Sequence, residues 1–241
     1  MGQVAVSSWQ RLSQQFLTLL FPPTCAVCKR VGAVLCEDCV RTLPRLPEAV
    51  CGRCSRPVKR PFSLCAHCQK RPFPLQTIRA TFHYVSPVKE LIHKFKYENS
   101  FALAGPLGQA MAGAWLGQNV AATAVIPVPL HPKRYKKRGY NQSMLLAQQL
   151  CHYHPLPLMP DALQRVRFTR PQIELGADQR QQNMQQAFAA TPHLVCGQHI
   201  LLIDDVCTTG ATLIACAEAL LDGGAASVSA YCLARAVSKT Q

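Results

Sequence analysis

No run of 18 apolar residues exists in the sequence, which argues against a membrane-spanning helix. The N-terminus, "MGQVAVSSWQRLSQQFLTLLFPPTC", has no basic stretch followed by a clean apolar one and a small-residue cleavage site, so it does not read as a secretory leader. Val6 stands where a myristoylation signal needs Ser or Thr. Acidic residues are scarce, with 12 Asp and Glu against 26 Lys and Arg. There is no low-complexity tract and no internal repeat beyond a pair of cysteine quartets. These absences predict a cytosolic globular protein whose cysteines are reduced. At 241 residues and 49% hydrophobic, the chain can bury one sizeable core and carry a smaller module beside it.

The positive charge is uneven. Residues 1–75 hold 11 Lys and Arg against 3 Asp and Glu, although they make up less than a third of the chain. A dense positive field on a small module suggests a polyanionic partner such as nucleic acid. A merely soluble basic face is the alternative.

Trp9, Leu12, Phe16, Leu19 and Leu20 recur at helical spacing before Pro22-Pro23, which predicts an amphipathic helix within a first segment, 1–24. Residues 25–75 change character. Cysteine, proline and arginine dominate, and no apolar periodicity survives to build an ordinary core. From residue 76 to 241 strands and helices alternate. Strands are expected at 77–85, 123–130, 162–168, 199–204 and 226–235. Helices are expected at 87–97, 101–118 (broken near Gly105-Pro106), 141–153, 177–188 and 210–224. This alternation predicts an α/β domain with a mostly parallel sheet flanked by helices.

Four CxxC pairs fall within 44 residues: Cys25/Cys28, Cys36/Cys39, Cys51/Cys54 and Cys65/Cys68. A CxxC turn can aim both sulfurs at one ion. Two such turns close a tetrahedral S4 site with no open position, the structural kind of zinc site. Two structural zinc ions are therefore expected. The short spacers favour sequential pairing, with a cross-braced arrangement as the alternative. The ions supply the folding free energy that the segment's sparse apolar surface cannot.

"ILLIDDVCTTGAT" (200–212) is an apolar strand that ends in two carboxylates and a hydroxyl-rich turn. Ligands of open α/β sheets bind at such strand ends. Asp204 and Asp205 can accept from vicinal hydroxyls or hold a hydrated Mg²⁺. Thr208, Thr209, Gly210, Ala211 and Thr212 open a helix, where free N–H groups and the helix dipole cradle a phosphate. Carboxylates for hydroxyls beside a nest for phosphate describe a ribose 5-phosphate.

The same stretch resembles the phosphoribosyl-pyrophosphate motif of type I phosphoribosyltransferases, with Cys207 in a slot that is usually aliphatic. "VIPVPLHPKRYKKRGYNQ" (125–142), "RFTRPQIELGADQRQQNMQQAF" (167–188) and the cysteine-rich start with "LLFPPTC" resemble the ComF/GntX family, the double-zinc-ribbon phosphoribosyltransferase-like proteins. The resemblance spans nearly the whole chain. It implies a type I phosphoribosyltransferase-like domain behind a small double zinc ribbon, binding phosphoribosyl pyrophosphate with Mg²⁺. It implies work in the cytosol on incoming single-stranded DNA during natural competence or DNA utilisation, with DNA-uptake or helicase proteins as partners. By the same resemblance Asp204, Asp205 and Arg138 are the catalytic candidates. Lys133, Arg134 and Arg138 follow the strand whose loop holds pyrophosphate, and Arg170, Gln172, Arg180 and Asn183 match a mobile lid. No general base and no acceptor are assignable. A pentosyl transferase of unknown acceptor, an inactive single-stranded DNA-binding adaptor and a phosphoribosyl-pyrophosphate-sensing regulator all remain open.

Overall fold

The computed structural model describes residues 22–61, 63–70, 73–98, 100–115, 120–166 and 187–237. The expected N-terminal helix, the expected helix at 177–188 up to residue 186, and the lid candidates Arg170, Gln172, Arg180 and Asn183 lie outside these residues. The chain divides into two compact units, Met1–Thr42 and Leu43–Gln241. The first unit carries the first cysteine quartet. The second carries the second quartet together with the sheet.

In the first unit the chain turns at Cys25–Cys28. Lys29 N–H donates back to Cys25 O at 3.0 Å, and Cys25 N–H donates to Arg30 O at 2.8 Å. Lys29 takes a positive φ of 65°, which tightens the knuckle. The second CxxC leads into a short helix α1, Glu37–Thr42, whose first turn is acidic, as its exposed N–H groups favour.

The same knuckle opens the second unit. Ser55 N–H donates to Cys51 O at 3.1 Å and Cys51 N–H to Arg56 O at 2.7 Å, and Ser55 has φ 55°. Helix α2, Ala66–Lys70, carries Cys68.

The remaining elements of the second unit, in chain order, are β1 (Ile78–His83), α3 (Val88–Tyr97), α4 (Ala104–Trp115), β2 (Ala124–Pro127), α5 (Pro132–Arg138), α6 (Gln142–Tyr153), β3 (Leu163–Arg165), β4 (Phe188–Ala190), α7 (Pro192–Val195), β5 (His199–Cys207), α8 (Ala211–Asp222) and β6 (Ser227–Arg235). Four strands make a parallel sheet in the order β1-β6-β5-β2. This is the expected parallel sheet flanked by helices. Its central strand β6 is buried along its whole length, as a sheet covered on both faces requires.

On one face Ile200 and Leu202 share a core with Leu213, Cys216 and Leu220 of α8 and with Leu163 and Phe188. On the other, the Tyr231 hydroxyl bonds Met111 O of α4 at 2.8 Å and its ring packs 5.2 Å from Trp115. Helices α4 and α6 approach closely at Gly108, where a Cβ would fall 2.4 Å from that of Gln149. The small residues of α4 therefore permit this packing.

The second knuckle is stitched to the start of β1. Ile78 N–H donates to Arg53 O at 2.7 Å, Ser55 Oγ to Ile78 O at 2.8 Å, and Arg79 Nη2 to Gly52 O at 2.9 Å. At the other end of β1, His83 N–H donates to Pro44 O at 2.8 Å.

Several elements differ from the sequence reading. The segment expected as a strand at 162–168 forms only Leu163–Arg165, and it pairs antiparallel with β4 outside the main sheet. Phe188, expected at the end of a helix, begins β4. The stretch from Phe101 starts as a 3-10 turn and then runs as helix through Gly105-Pro106 without a break. The basic run, expected as a loop, is helix α5. Pro132 starts it, the His131 side chain caps it by accepting from Lys133 N–H, and Gly139 stops it at φ 78°.

Candidate functional site

Each quartet gathers its own four sulfurs. The Sγ atoms of Cys25, Cys28, Cys36 and Cys39 lie within 4.8 Å of one another, as do those of Cys51, Cys54, Cys65 and Cys68. Pairing is thus sequential rather than cross-braced. A tetrahedral ion with Zn–S bonds of about 2.3 Å needs sulfurs about 3.8 Å apart. Cys28 and Cys36 stand 3.7 Å apart and Cys54 and Cys65 3.6 Å. Backbone N–H groups point at the sulfurs, Cys36 N at Cys25 and Cys65 N at Cys51. Burial opposes ionisation of these two thiols, yet the N–H donors win and pull Cys25 down to about 6 and Cys51 to about 7. The donor set fits zinc, and two structural zinc sites follow.

The second site lies at the carboxyl end of β5. A cavity of about 240 Å³ is lined by Asp204, Asp205, Lys96, Arg134, Arg138 and Arg165, among others. A smaller recess beside it is lined by Thr208, Thr209, Gly210, Ala211 and Thr212, with Asp204 at its edge. The acid pair and the helix start therefore share one space. Gly210 caps α8 at φ 92°, a conformation that disfavours any residue with a Cβ. Thr209 Oγ1 accepts from Ala211 N–H at 3.3 Å, within the first turn.

The two carboxylates differ. Asp204 Oδ1 accepts from Ser143 Oγ and from Asp205 N–H, both at 2.9 Å. Burial, with the charge of Asp205 next to it, pushes Asp204 up to about 7, against the attraction of Lys96 and these hydrogen bonds. Asp205 is 7% exposed and pairs with Lys96 Nζ at 2.9 Å. Burial opposes the charge on Lys96, but Asp205 outweighs it and the ammonium is held more firmly than usual. Among the described residues the cysteine quartets are the only clusters of three or more potential ligands. A divalent cation at the acid pair would need further oxygens from its ligand.

The cations come from three directions. Arg134 and Arg138 lie four apart on α5 and so share a face, which lines the cavity. Arg138 is also held by its neighbours: Nη1 donates to Gln142 Oε1 at 3.1 Å, Nη2 to Tyr97 Oη at 3.2 Å, and its guanidinium lies 4.9 Å from the Tyr97 ring centre. Lys133 is exposed and does not line the cavity. The "RGYNQS" turn explains the placement. Gly139 ends α5 and Asn141 caps α6 through Ser143 N–H, while Asn141 Nδ2 holds Val128 O at 3.0 Å. Arg138 and Ser143 thus reach the site from opposite sides of one turn.

Lys96, Ser143, Arg165 and Arg235 were not singled out by sequence reasoning. Arg235 ends β6, is 1% exposed, and donates to Cys207 O at 2.8 Å, to Thr208 O and to Cys54 O at 3.0 Å. A lone arginine closing an apolar strand was the available signal.

Residues 16–74 match the double zinc ribbon domain family and residues 137–241 the phosphoribosyl transferase domain family. The DNA utilization protein YhgH of Salmonella typhimurium is 32% identical over 226 residues, 90% of this chain and 99% of that one. Competence protein F of Haemophilus influenzae is 33% identical, over 84% of this chain and 90% of its own. Competence protein ComFC of Bacillus subtilis is 28% identical, over 83% and 84%. Among solved structures, a glutamine phosphoribosylpyrophosphate amidotransferase from B. subtilis aligns with a TM-score of 0.38 at 20% identity, over 56% of this chain and 26% of that one, too loosely to inform the site. With its two S4 quartets, its parallel sheet and the acid pair over a helix start, the chain belongs to the ComF family of competence and DNA utilisation proteins, which join a double zinc ribbon to a phosphoribosyltransferase domain.

Proposed function

We propose that the cavity over Asp204 and Asp205 binds phosphoribosyl pyrophosphate with Mg²⁺, and that the protein acts in the cytosol on incoming single-stranded DNA. One observation carries the first half. A carboxylate pair and the N-terminus of α8 face the same space as Lys96, Arg134, Arg138 and Arg165. Carboxylates suit the ribose hydroxyls, the helix start suits the 5-phosphate, and the cations suit a pyrophosphate.

In this reading the residues Thr208–Thr212 hold the phosphate. Arg134 and Arg138 neutralise the pyrophosphate as charge develops on it when the C1–O bond breaks. Asp204 and Asp205 are the residues that would hold Mg²⁺, which would add to that neutralisation. Ligand entry asks Lys96 to share Asp205 or to turn toward the pyrophosphate. Arg170, Gln172, Arg180 and Asn183 are proposed to close over the reaction centre. The acceptor that would take the ribosyl group is not named by any side chain. Calorimetry is the direct test: Asp204→Ala and Asp205→Ala should each weaken phosphoribosyl pyrophosphate binding at least about tenfold. Unchanged affinity in both would end the assignment.

A DNA-binding role rests on a different observation. Tyr97 and Tyr135 are 54% and 51% exposed, and Tyr97 stacks under Arg138 at the cavity. Exposed aromatics among cations suit bases and phosphates of a single strand. The relatives' names, DNA utilization and competence protein, point the same way. Tyr97→Ala with Tyr135→Ala should weaken binding of a single-stranded oligonucleotide, and raising salt from about 50 to 200 mM should weaken it further. Affinity indifferent to both changes would leave a regulator that senses phosphoribosyl pyrophosphate as the better reading.

A further inference from the structure

Arg235 is a buried guanidinium whose acceptors here are three backbone carbonyls and a thiol. Nη1 donates to Cys207 O at 2.8 Å, to Cys207 Sγ at 3.0 Å and to Thr208 O. These atoms begin the turn that cradles the phosphate in the proposed reading. Nε donates to Cys54 O at 3.0 Å, and Cys54 is a sulfur ligand of the second quartet. One planar, rigid group therefore spans the metal knuckle and the loop. A second path runs beside it. Ile78 is bonded through its N–H to Arg53 O and through its O to Ser55 Oγ, both on the same knuckle. Its side chain lies against the other end of the loop, with Cδ1 3.6 Å from where a Gly210 Cβ would be.

We propose that Arg235 is a positioning residue that couples metal occupancy of Cys51, Cys54, Cys65 and Cys68 to the conformation of the loop 207–212, so that metal in the second quartet sets that loop's affinity for a phosphate ligand. The physical reason is the cost of leaving a buried charged donor unsatisfied. If the Cys54 turn relaxes when its sulfurs lose the ion, Nε must find another acceptor. The guanidinium is flat, so turning one edge carries Nη1 away from Cys207 O and Thr208 O. Coupling is reciprocal, so a ligand held by the loop must also slow loss of the second ion. The first quartet sits in the other compact unit and gives an internal control.

The ligand half of this proposal rests on the phosphoribosyl pyrophosphate reading, and the loop half does not. The first test therefore uses no ligand. Amide hydrogen exchange at residues 208–212 is measured in the full-length zinc-loaded protein and in Cys68→Ser, Cys39→Ser and Arg235→Lys. Cys68→Ser and Arg235→Lys should speed exchange there at least about tenfold, and Cys39→Ser should leave it unchanged. Arg235→Lys keeps the charge and should keep two zinc ions per chain, so its effect reads the bridge rather than the fold. Loop exchange unaltered in Arg235→Lys, or raised equally by Cys39→Ser and Cys68→Ser, would overturn the proposal.

The second test follows zinc release to a colorimetric chelator with and without phosphoribosyl pyrophosphate. In the parent protein the ligand should slow release of one ion of the two by about tenfold, and in Arg235→Lys of neither. If calorimetry detects binding but neither ion is protected, the coupling is refuted while the ligand reading stands. If no binding is detected, the ligand reading falls and loop exchange alone decides the coupling.

Discussion

The two cysteine quartets have the same covalent plan and different surroundings. Both knuckles turn on a positive-φ residue four positions after the first cysteine, Lys29 in one and Ser55 in the other. Both aim a backbone N–H from the second CxxC at the first sulfur. In the first quartet Lys29 is exposed, and its Nζ donates to the knuckle's own Ala26 O. In the second, Ser55 is 1% exposed and its hydroxyl is bonded to β1, while the Cys54 carbonyl is taken by Arg235. The second quartet shows that a structural metal site can serve as a wall of a neighbouring fold, through Ser55 just after a ligand and the carbonyl of the ligand residue Cys54.

Metal removal should separate the two most sharply. Structural zinc contributes on the order of 10 kcal/mol to the segment it folds. Cys68→Ser should lower the thermal midpoint of the sheet-bearing unit, and Cys39→Ser should leave that transition in place, as followed by near-ultraviolet circular dichroism. Equal shifts would erase the distinction.

Titration should reach the loop of the second unit through Asp204. The folded pKa of Asp204 is raised from 3.8 to about 7. The native state thus holds this proton more tightly than the unfolded chain does. Its contribution to stability is complete below about pH 3.8 and is lost as pH rises through about 7. Urea unfolding at pH 5 and pH 8 should show this loss in the parent and a smaller one in Asp204→Asn. A ligand that needs the carboxylate should bind more tightly from pH 6 to pH 8, by up to about tenfold per unit, and release a proton on binding.

Glycine replacement gives a smaller contrast. Gly32 and Gly210 both hold positive φ, at 121° and 92°, so alanine at either should cost about 1–2 kcal/mol. Only Gly210→Ala should also weaken phosphoribosyl pyrophosphate binding in calorimetry. At the smallest scale, Ser55→Ala should destabilise by about 1–2 kcal/mol through the lost buried hydrogen bond. Lys29→Ala, at the matching exposed position, should stay within about 0.5 kcal/mol. Chemical denaturation of both variants checks the difference.

The quartets and the Asp-Asp-to-threonine turn were legible in the sequence because their groups lie close along the chain and their spacing is fixed by a turn or a helix start. The parallel sheet was legible from the alternation of apolar strands with helices. Lys96 was not, because α3 meets the end of β5 only through tertiary packing and its own segment reads as an ordinary amphipathic helix. Ser143 and Arg235 were missed for the same reason. Helix α5 was misread because its charge and prolines outweighed two correct signals, Pro132 at its start and Gly139 at its end. The short β3–β4 pair carries too few residues for a period of two to register.

The bonds along the outer side of β1 have one more consequence. The Ile78 and His83 N–H groups face away from the sheet and are satisfied by Arg53 O and Pro44 O. The second knuckle, with Pro44 ahead of it, thereby caps a strand border that would otherwise offer unpaired amides to another chain. Stripped of its ion, the protein should become sticky before it becomes unfolded, and clumping would then betray a metal deficit earlier than any loss of helix.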